Sequence, residues 1–513
     1  MLHWQAERGI RRSLSHSLTH ACPRGPRGPL ASPHPMPLSR YLIVLPHPDQ
    51  PGLRLLFSTR TGGLALLPAP SLEAVEAGDA EPVLRATLKS LSMVVDDLAV
   101  EQAEVHDYLG AVNRANPNLR VAVILGMACN FACPYCYEGS LKEGGEAMSD
   151  ATAERLVEFL LERFSRHPGP LPEGEGVDAR AGAVSPLPLG EGGRRPGEGG
   201  GKQFPRKKRL ILDFYGGEPL LYLSRIKSLA SQLKPAIEAL GGRFEFTLVT
   251  NGSLLTREVV TELRDLGLSS FKTTIDGPAD HHNRTRPYKD GRGSWERIVG
   301  NLADCRGIVP ITLSGNYTEA SASAFPRLLS DLDAAGFGPS DIDTVQFYPV
   351  MQVNDRFANP EFTAGCLSND EPWVHAASLS LREEIMRRGY HFPPLHPAPC
   401  MIDLDDALVV NHDGTIYKCV TLIGHKDFAA GDIWQGMNDS WPAQYCKGHW
   451  QQEAKCRECR YLPLCFGGCR YMAYQRDGTM AKVDCQKPFL DATLAEMLRH
   501  DLKYRYGVGG DSG

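Results

Sequence analysis

Residues 126–140 read GMACNFACPYCYEGS and place Cys129, Cys133 and Cys136 in a C-x3-C-x2-C array. Thiolates are ligands for iron–sulfur clusters and for zinc. A structural zinc site takes four ligands, usually in paired C-x2-C knuckles, and no second knuckle stands here. Three thiolates can hold three irons of a [4Fe–4S] cube, which leaves the fourth iron open to an incoming molecule. A second group lies near the C-terminus: Cys400, then Gly414 and Cys419, then Cys456, Cys459, Cys465 and Cys469 in a C-x2-C-x5-C-x3-C array, with Cys485 beyond. The chain has 513 residues and fourteen cysteines. Tight clusters in so large a chain favour ligation in a reducing compartment, the cytoplasm, over a disulfide framework.

Two further stretches could do chemistry. YGGEP, residues 215–219, follows an apolar run, and its paired glycines permit close backbone approach. TTIDGP and NRTRP bring Thr274, Asp276, His282 and Arg286 into one short region. An arginine suits a carboxylate, which it can meet with two parallel hydrogen bonds. A surface ion pair is the plainer reading of Arg286, and a tight turn that of the GGE triplet.

Together these motifs resemble the signature of radical S-adenosylmethionine (SAM) enzymes, including the aromatic Tyr135 before the last cysteine. The resemblance covers residues 121–350. It implies that Cys129, Cys133 and Cys136 bind a [4Fe–4S] cluster and that SAM chelates its open iron. It further implies that a 5'-deoxyadenosyl radical takes a hydrogen atom from substrate, the cofactor carrying the hard chemistry. Gly216, Gly217 and Glu218 would hold the SAM amino group, Thr274 and Arg286 its ribose or carboxylate, and Tyr135 its adenine. Asp276 and His282 match common family positions without a firm role. The C-terminal cysteines resemble the seven-cysteine SPASM motif of radical SAM peptide and protein modifiers. That implies two auxiliary [4Fe–4S] clusters, one on Cys456, Cys459, Cys465 and Cys485, the other on Cys400, Cys419 and Cys469. The latter set is one thiolate short: Cys366 or Cys446 could complete it, or its iron is open or filled by a nonthiolate group. Cys305 reads as a buried core thiol.

These residues need positioning elements. From Val121 to about Val350, apolar runs alternate with helical patterns: VAVILG, RLILDFYG, FEFTLVTNG, SFKTTIDG, VPITLSGN and DTVQFYPV are six strand candidates. Such alternation implies a parallel sheet that right-handed crossovers could curl into a partial (β/α)6 TIM-like barrel, with ligands at the carboxyl ends of its strands. The expected fold class is α/β, with a small N-terminal α+β module and a Cys-rich C-terminal iron–sulfur domain. The boundaries expected are 1–35, a non-native or disordered extension (or transit peptide); 36–115, the small module; and 116–355, the core, with a disordered Gly/Pro-rich insertion at 167–208. Then follow 356–398, a linker with a helix; 399–490, the auxiliary-cluster domain; and 491–513, a C-terminal helix and tail. The first module reads as three strands, RYLIVLP, LRLLFST and GGLALLP, then helices over SLEAVEAG and residues 81–97. It is either a cap or a docking element for an extended peptide.

The formal net charge of −6 argues against nucleic acid as the main partner, and no run approaches the ~18 apolar residues of a membrane span. The function the resemblance implies is that of a radical SAM/SPASM maturase of a ribosomally made precursor peptide, similar to geopeptide-type maturases. It would be fed electrons by a low-potential donor such as flavodoxin or ferredoxin. An anaerobic sulfatase-maturating enzyme is the alternative. In that family an aspartate directly follows the second cysteine of the C…G-x4-C element; here that residue is Val420, with Asp403, Asp405 and Asp406 as the nearby carboxylates. A noncatalytic iron–sulfur or zinc protein is the alternative of another class.

Overall fold

The computed structural model describes residues 36–47, 49–167 and 207–507. The expected extension at 1–35 and residues 168–206 of the insertion lie outside them. Three short strands come first: β1 (Leu42–Pro46), β2 (Leu53–Ser58) and β3 (Leu64–Pro68) form an antiparallel sheet. Helices α1 (Ala69–Ala77), α2 (Pro82–Ser90), α3 (Leu98–His106) and α4 (Tyr108–Ala115) follow. The helix expected over 81–97 stops at Ser90. Ser92 takes φ +53°, and Ser39 N donates to Met93 O at 2.9 Å and Val95 N to Pro37 O at 3.0 Å. Pairing with the chain's approach to β1 outweighs helix propensity there.

The core alternates strand and helix: β4 (Asn118–Ile124), α5 (Asp150–Arg166), β5 (Arg209–Tyr215), α6 (Leu223–Ala239), β6 (Arg243–Thr250), α7 (Arg257–Asp265) and β7 (Leu268–Thr274). Then come α8 (Ala279–Thr285), α9 (Trp295–Asp304), β8 (Ile311–Tyr317), α10 (Phe325–Ala334), β9 (Thr344–Pro349) and α11 (Pro372–Arg387). Strands β4 to β9 pair in sequence order, all parallel. Helices start on side-chain caps: Ser149 accepts from Thr152 N at 3.0 Å and Thr256 from Val259 N at 3.3 Å. Alternate strand residues, such as Leu210, Leu212 and Phe214, join helix residues such as Leu156, Leu160, Leu229 and Leu233 in one apolar layer. The other face is mixed: Ala122 and Ile124 join a second apolar cluster, and a polar group stands beside them. Arg120 meets Asp213 with two bonds of 2.6 and 2.9 Å, and Thr247 donates to Asp213 at 2.6 Å. A buried bidentate pair with its remaining lone pair filled can stand in such a lumen.

Strand–helix alternation ends after α11, but strand pairing does not. Strand β10 (Ala407–Val410) adds to β4 in parallel, and β11 (Thr415–Tyr417), β12 (Gly431–Asp432) and β13 (Gly436–Met437) continue antiparallel. The sheet therefore has ten strands in the order β13-β12-β11-β10-β4-β5-β6-β7-β8-β9. Helices α12 (Trp441–Gln444), α13 (Ala454–Arg457), α14 (Leu462–Cys465), α15 (Arg470–Asp477) and α16 (Lys487–His500) complete the chain. No described helix is long and apolar enough to cross a membrane.

Candidate functional site

The triple-cysteine loop leaves the carboxyl end of β4, which lies between β10 and β5 in the sheet. It is pinned at its middle. Phe131 is buried and bridges to Tyr288, its ring edge-on at 4.9 Å. Ala132 N donates to Pro287 O at 2.9 Å and Lys289 N to Asn130 O at 3.0 Å. All three cysteines are partly buried. Burial pushes the Cys133 thiol up to about 11 and also raises Cys129 and Cys136. Thiols so placed become ligands when a cation displaces their protons. Asn251 Nδ2 reaches Cys129 Sγ at 3.9 Å. Lys142, in the turn Gly139–Glu143, is drawn down by burial but more strongly up by the Cys136, Cys133 and Cys129 thiols. Nothing in the sequence pattern singled out Lys142.

The GGE motif follows β5, with Gly216 at φ +83° and Gly217 at φ +52°. A Cβ on Gly217 would lie 2.3 Å from Ala128 O. The close approach these glycines allow is to the backbone of the cysteine loop. The Glu218 carboxylate is 0% exposed and takes hydrogen bonds from Leu220 N at 3.0 Å, Thr250 Oγ1 at 2.7 Å and Asn251 N at 2.7 Å. The side chain therefore ties the ends of β5 and β6 together. The motif also presents its own main chain beside the cysteine loop, where Glu218 N donates to Ala128 O at 2.9 Å.

Tyr135 and Arg286 do come together. Arg286 Nη1 donates to Tyr135 Oη at 2.7 Å, Tyr135 Oη donates to Asp276 Oδ2, and Asn316 Nδ2 reaches Tyr135 Oη at 3.3 Å. Asp276 is fully buried, lies 3.9 Å from Arg286 and accepts from Asn316 N at 2.8 Å. Arg286 Nε is buried without a partner, a donor suited to a carboxylate such as that of SAM. Thr274 sits beside this network at the end of β7, its hydroxyl 2.9 Å from that of Ser314. His282 is structural: its ring accepts from Asp276 N at 3.1 Å and lies 2.9 Å from Ser294 Oγ, and burial holds it well below the usual imidazole pKa.

Some of the C-terminal cysteines lie near one another. Cys469 is within electrostatic reach of Cys419 and Cys400, and Cys465 of Cys459, Cys456 and Cys485. Glycines make the second set. Phe466 sits at φ +42°, Gly467 at +85° and Gly468 at +78°. Asp484 N donates to Gly467 O at 2.8 Å, which brings Cys485 to the others. The GG between Cys465 and Cys469 was a readable signal for this turn. Of the unassigned thiols, Cys366 donates to Met351 Sδ at 3.2 Å, whereas Cys446 packs on the same apolar cluster as Cys400 and Cys419. Cys305 is buried in the main core. Among the described residues, no three His, Cys, Asp or Glu side chains converge on one ion; a four-iron cube takes its thiolates at separate corners.

Between the two clustered regions, Tyr137 Oη donates to Tyr215 Oη at 2.7 Å, and Tyr215 is within electrostatic reach of both Cys136 and Cys419. Val420 opens a single turn after Cys419, against apolar neighbours. The nearby carboxylates are engaged: Asp403 with Arg470, Asp405 with Lys447, and Asp406 with Arg163 at 3.2 Å and His167 at 2.9 Å.

The family profile described as Radical SAM superfamily matches residues 202–318. That span carries the GGE, Asp276 and Arg286 region and begins after the cysteine loop. The PqqA peptide cyclase of Granulibacter bethesdensis is 24% identical over 294 residues, covering 54% of this chain and 73% of its own. That of Bradyrhizobium diazoefficiens is 25% identical over 299 residues, covering 54% and 72%. Among solved structures, anSMEcpe with bound AdoMet and Cp18Cys peptide superposes with a TM-score of 0.52 at 16% identity, over 74% of this chain and 98% of that one. This last likeness is one of fold. The profile match over residues 202–318, the cysteine loop at the carboxyl end of β4 and the parallel sheet agree with one another and point to radical SAM chemistry.

Proposed function

We propose that this enzyme matures a ribosomally made precursor peptide. The observation that carries the reading is the joining of a radical SAM site to an antiparallel sheet with unpaired outer edges. Among the described residues, β1 and β3 pair only with β2, and an edge strand can accept an extended peptide by backbone hydrogen bonding. The curated relatives bear the name peptide cyclase, in keeping with a peptide substrate.

Cys129, Cys133 and Cys136 would hold the catalytic [4Fe–4S] cluster. Arg286 Nε and the main chain of Gly216 and Gly217 would hold SAM. When bound, the pair supplies a 5'-deoxyadenosyl radical for hydrogen-atom abstraction. The chain's own part is to fix SAM through the Tyr135–Arg286–Asp276 network and to shield the reaction within the sheet. The set Cys456, Cys459, Cys465 and Cys485 and the set Cys400, Cys419 and Cys469 would hold two auxiliary [4Fe–4S] clusters. A low-potential flavodoxin or ferredoxin in the cytoplasm would reduce the catalytic one.

The test is co-expression with a short Cys-, Thr- or Ser-rich peptide encoded beside the gene, read by mass spectrometry. A mass change on that peptide is expected. Formylglycine on a sulfatase-motif peptide, with the small peptide unchanged, would overturn the assignment and require a base other than residue 420. Failure to cleave SAM under reducing conditions would remove catalysis altogether.

A further inference from the structure

Arg470 opens α15 immediately after Cys469, and Asp403 ends the turn three residues after Cys400. Both side chains are 0% exposed and form an ion pair through Nη2 and Oδ1. Arg470 Nε points to the Cys446 carbonyl at 3.4 Å, and Asp403 Oδ1 also accepts from Gly448 N at 3.1 Å. That leaves Arg470 Nη1 buried with no partner, as it does Asp403 Oδ2 on the other side of the pair. Buried donors in folded proteins are paired, and an orphan on a full charge calls for an unassigned acceptor. The guanidinium is also within electrostatic reach of the Cys400 and Cys469 thiols, besides Asp403.

We propose that Arg470 Nη1 donates a hydrogen bond to the iron–sulfur cluster on Cys400, Cys419 and Cys469, and so raises that cluster's reduction potential. This rests on the auxiliary-cluster assignment made above. Adding an electron makes the cluster more negative, and a buried cation favours the reduced form more strongly where the local dielectric is low. Hydrogen bonds to cluster sulfurs act in the same direction. A purely structural arginine, holding Asp403 and the Cys446 carbonyl, would leave the potential where it is.

The experiment uses the full-length, reconstituted protein. Iron is counted and the clusters are titrated by EPR-monitored reduction in the wild type, Arg470→Gln and Arg470→Gln/Asp403→Asn. The double variant removes both charges, so it decides the matter if the single variant, with Asp403 left unpaired, does not load iron. The expected result is unchanged iron content in the double variant and one midpoint moved to more negative potential, the others staying in place. The expected size is about a tenfold loss in the reduced-to-oxidised ratio, about 59 mV for one electron. Full iron with no midpoint moved overturns the proposal. So does loss of about four irons from the double variant, which would make the pair a structural prop. If Cys400→Ala in the otherwise wild-type chain leaves the iron count unchanged, the underlying cluster assignment fails instead.

Discussion

Gly468 shows how one residue sets a ligand. At φ +78° its missing Cβ would lie 1.9 Å from Asp484 O, so even a methyl group must push back the segment that carries Cys485. Gly468→Ala should therefore lose about four irons per chain, one cube, and several kcal/mol of stability, since strain of about 1–3 kcal/mol is joined by a backbone clash. Gly478 is the control. It has φ +70° but nothing within 4 Å, so Gly478→Ala should cost only about 1–2 kcal/mol of left-handed strain and keep its iron. Equal iron loss in both would show that the close approach is not what places Cys485. The thiols themselves divide by role. Cys133→Ala should abolish reductive SAM cleavage, because the catalytic set has only three thiols. Cys465→Ala should impair peptide turnover more than uncoupled SAM cleavage, measured side by side by chromatography. Equal loss of both activities in folded Cys465→Ala would unite the two sites functionally.

Among the elements, β4 matters most. It is buried nearly throughout, with β5 on one side and β10 on the other, so it carries the triple-cysteine loop while its neighbour β10 links to the C-terminal cysteine region. Val410, the last residue of β10, pairs in register with Val123. The sites on the two sides of Tyr215 are thus fixed by one continuous ladder. The connection from α5 to β5 is of another kind. Residues 170–205 have little apolar matter to bury, and loop closure cost rises only slowly with length. Deleting them and joining the ends with a short Gly/Ser linker should leave iron content and SAM cleavage near wild type. A collapse in iron loading would show that the segment supports the core.

On the scale of the molecule, the N-terminal module is seated on the second cysteine group. Gln102 Nε2 donates to Arg457 O at 3.1 Å, Thr59 Oγ1 to Arg460 O at 2.6 Å, and Arg40 pairs with Glu458. Arg457 and Glu458 lie between Cys456 and Cys459. Tyr41, Val105 and Leu109 share an apolar cluster with Trp450, Cys456 and Phe466. Metal loading at this knuckle and docking of the module should therefore be linked, as ligation energy is folding energy in small metal sites. The intact protein should contain about twelve irons, four for each of three cubes. The Cys456→Ala/Cys459→Ala variant should hold about eight and show faster amide exchange across residues 36–115. Unchanged exchange at reduced iron would show that the module stands on apolar packing alone.

The sequence by itself determined the chemistry. Thiolate spacing is local and stringent, so Cys129, Cys133 and Cys136 and the two later groups were readable as candidate ligands from the sequence. Strand–helix alternation likewise foretold the parallel sheet, because burial on both faces leaves near-continuous apolar runs such as VAVIL. What only the tertiary structure decided were the long-range pairings. That β10 extends the sheet beside β4 was hidden, since ALVV is short and its partner lies almost three hundred residues upstream in sequence. So was the set of donors to the Glu218 carboxylate, since Thr250 and Asn251 reach it only through the pairing of β5 with β6. The Asp403–Arg470 pair, the Tyr137–Tyr215 contact and Lys142 beside the thiols carry no motif. Each joins residues brought close by packing, and side-chain hydrogen bonds across such distances leave no periodic trace in a single sequence.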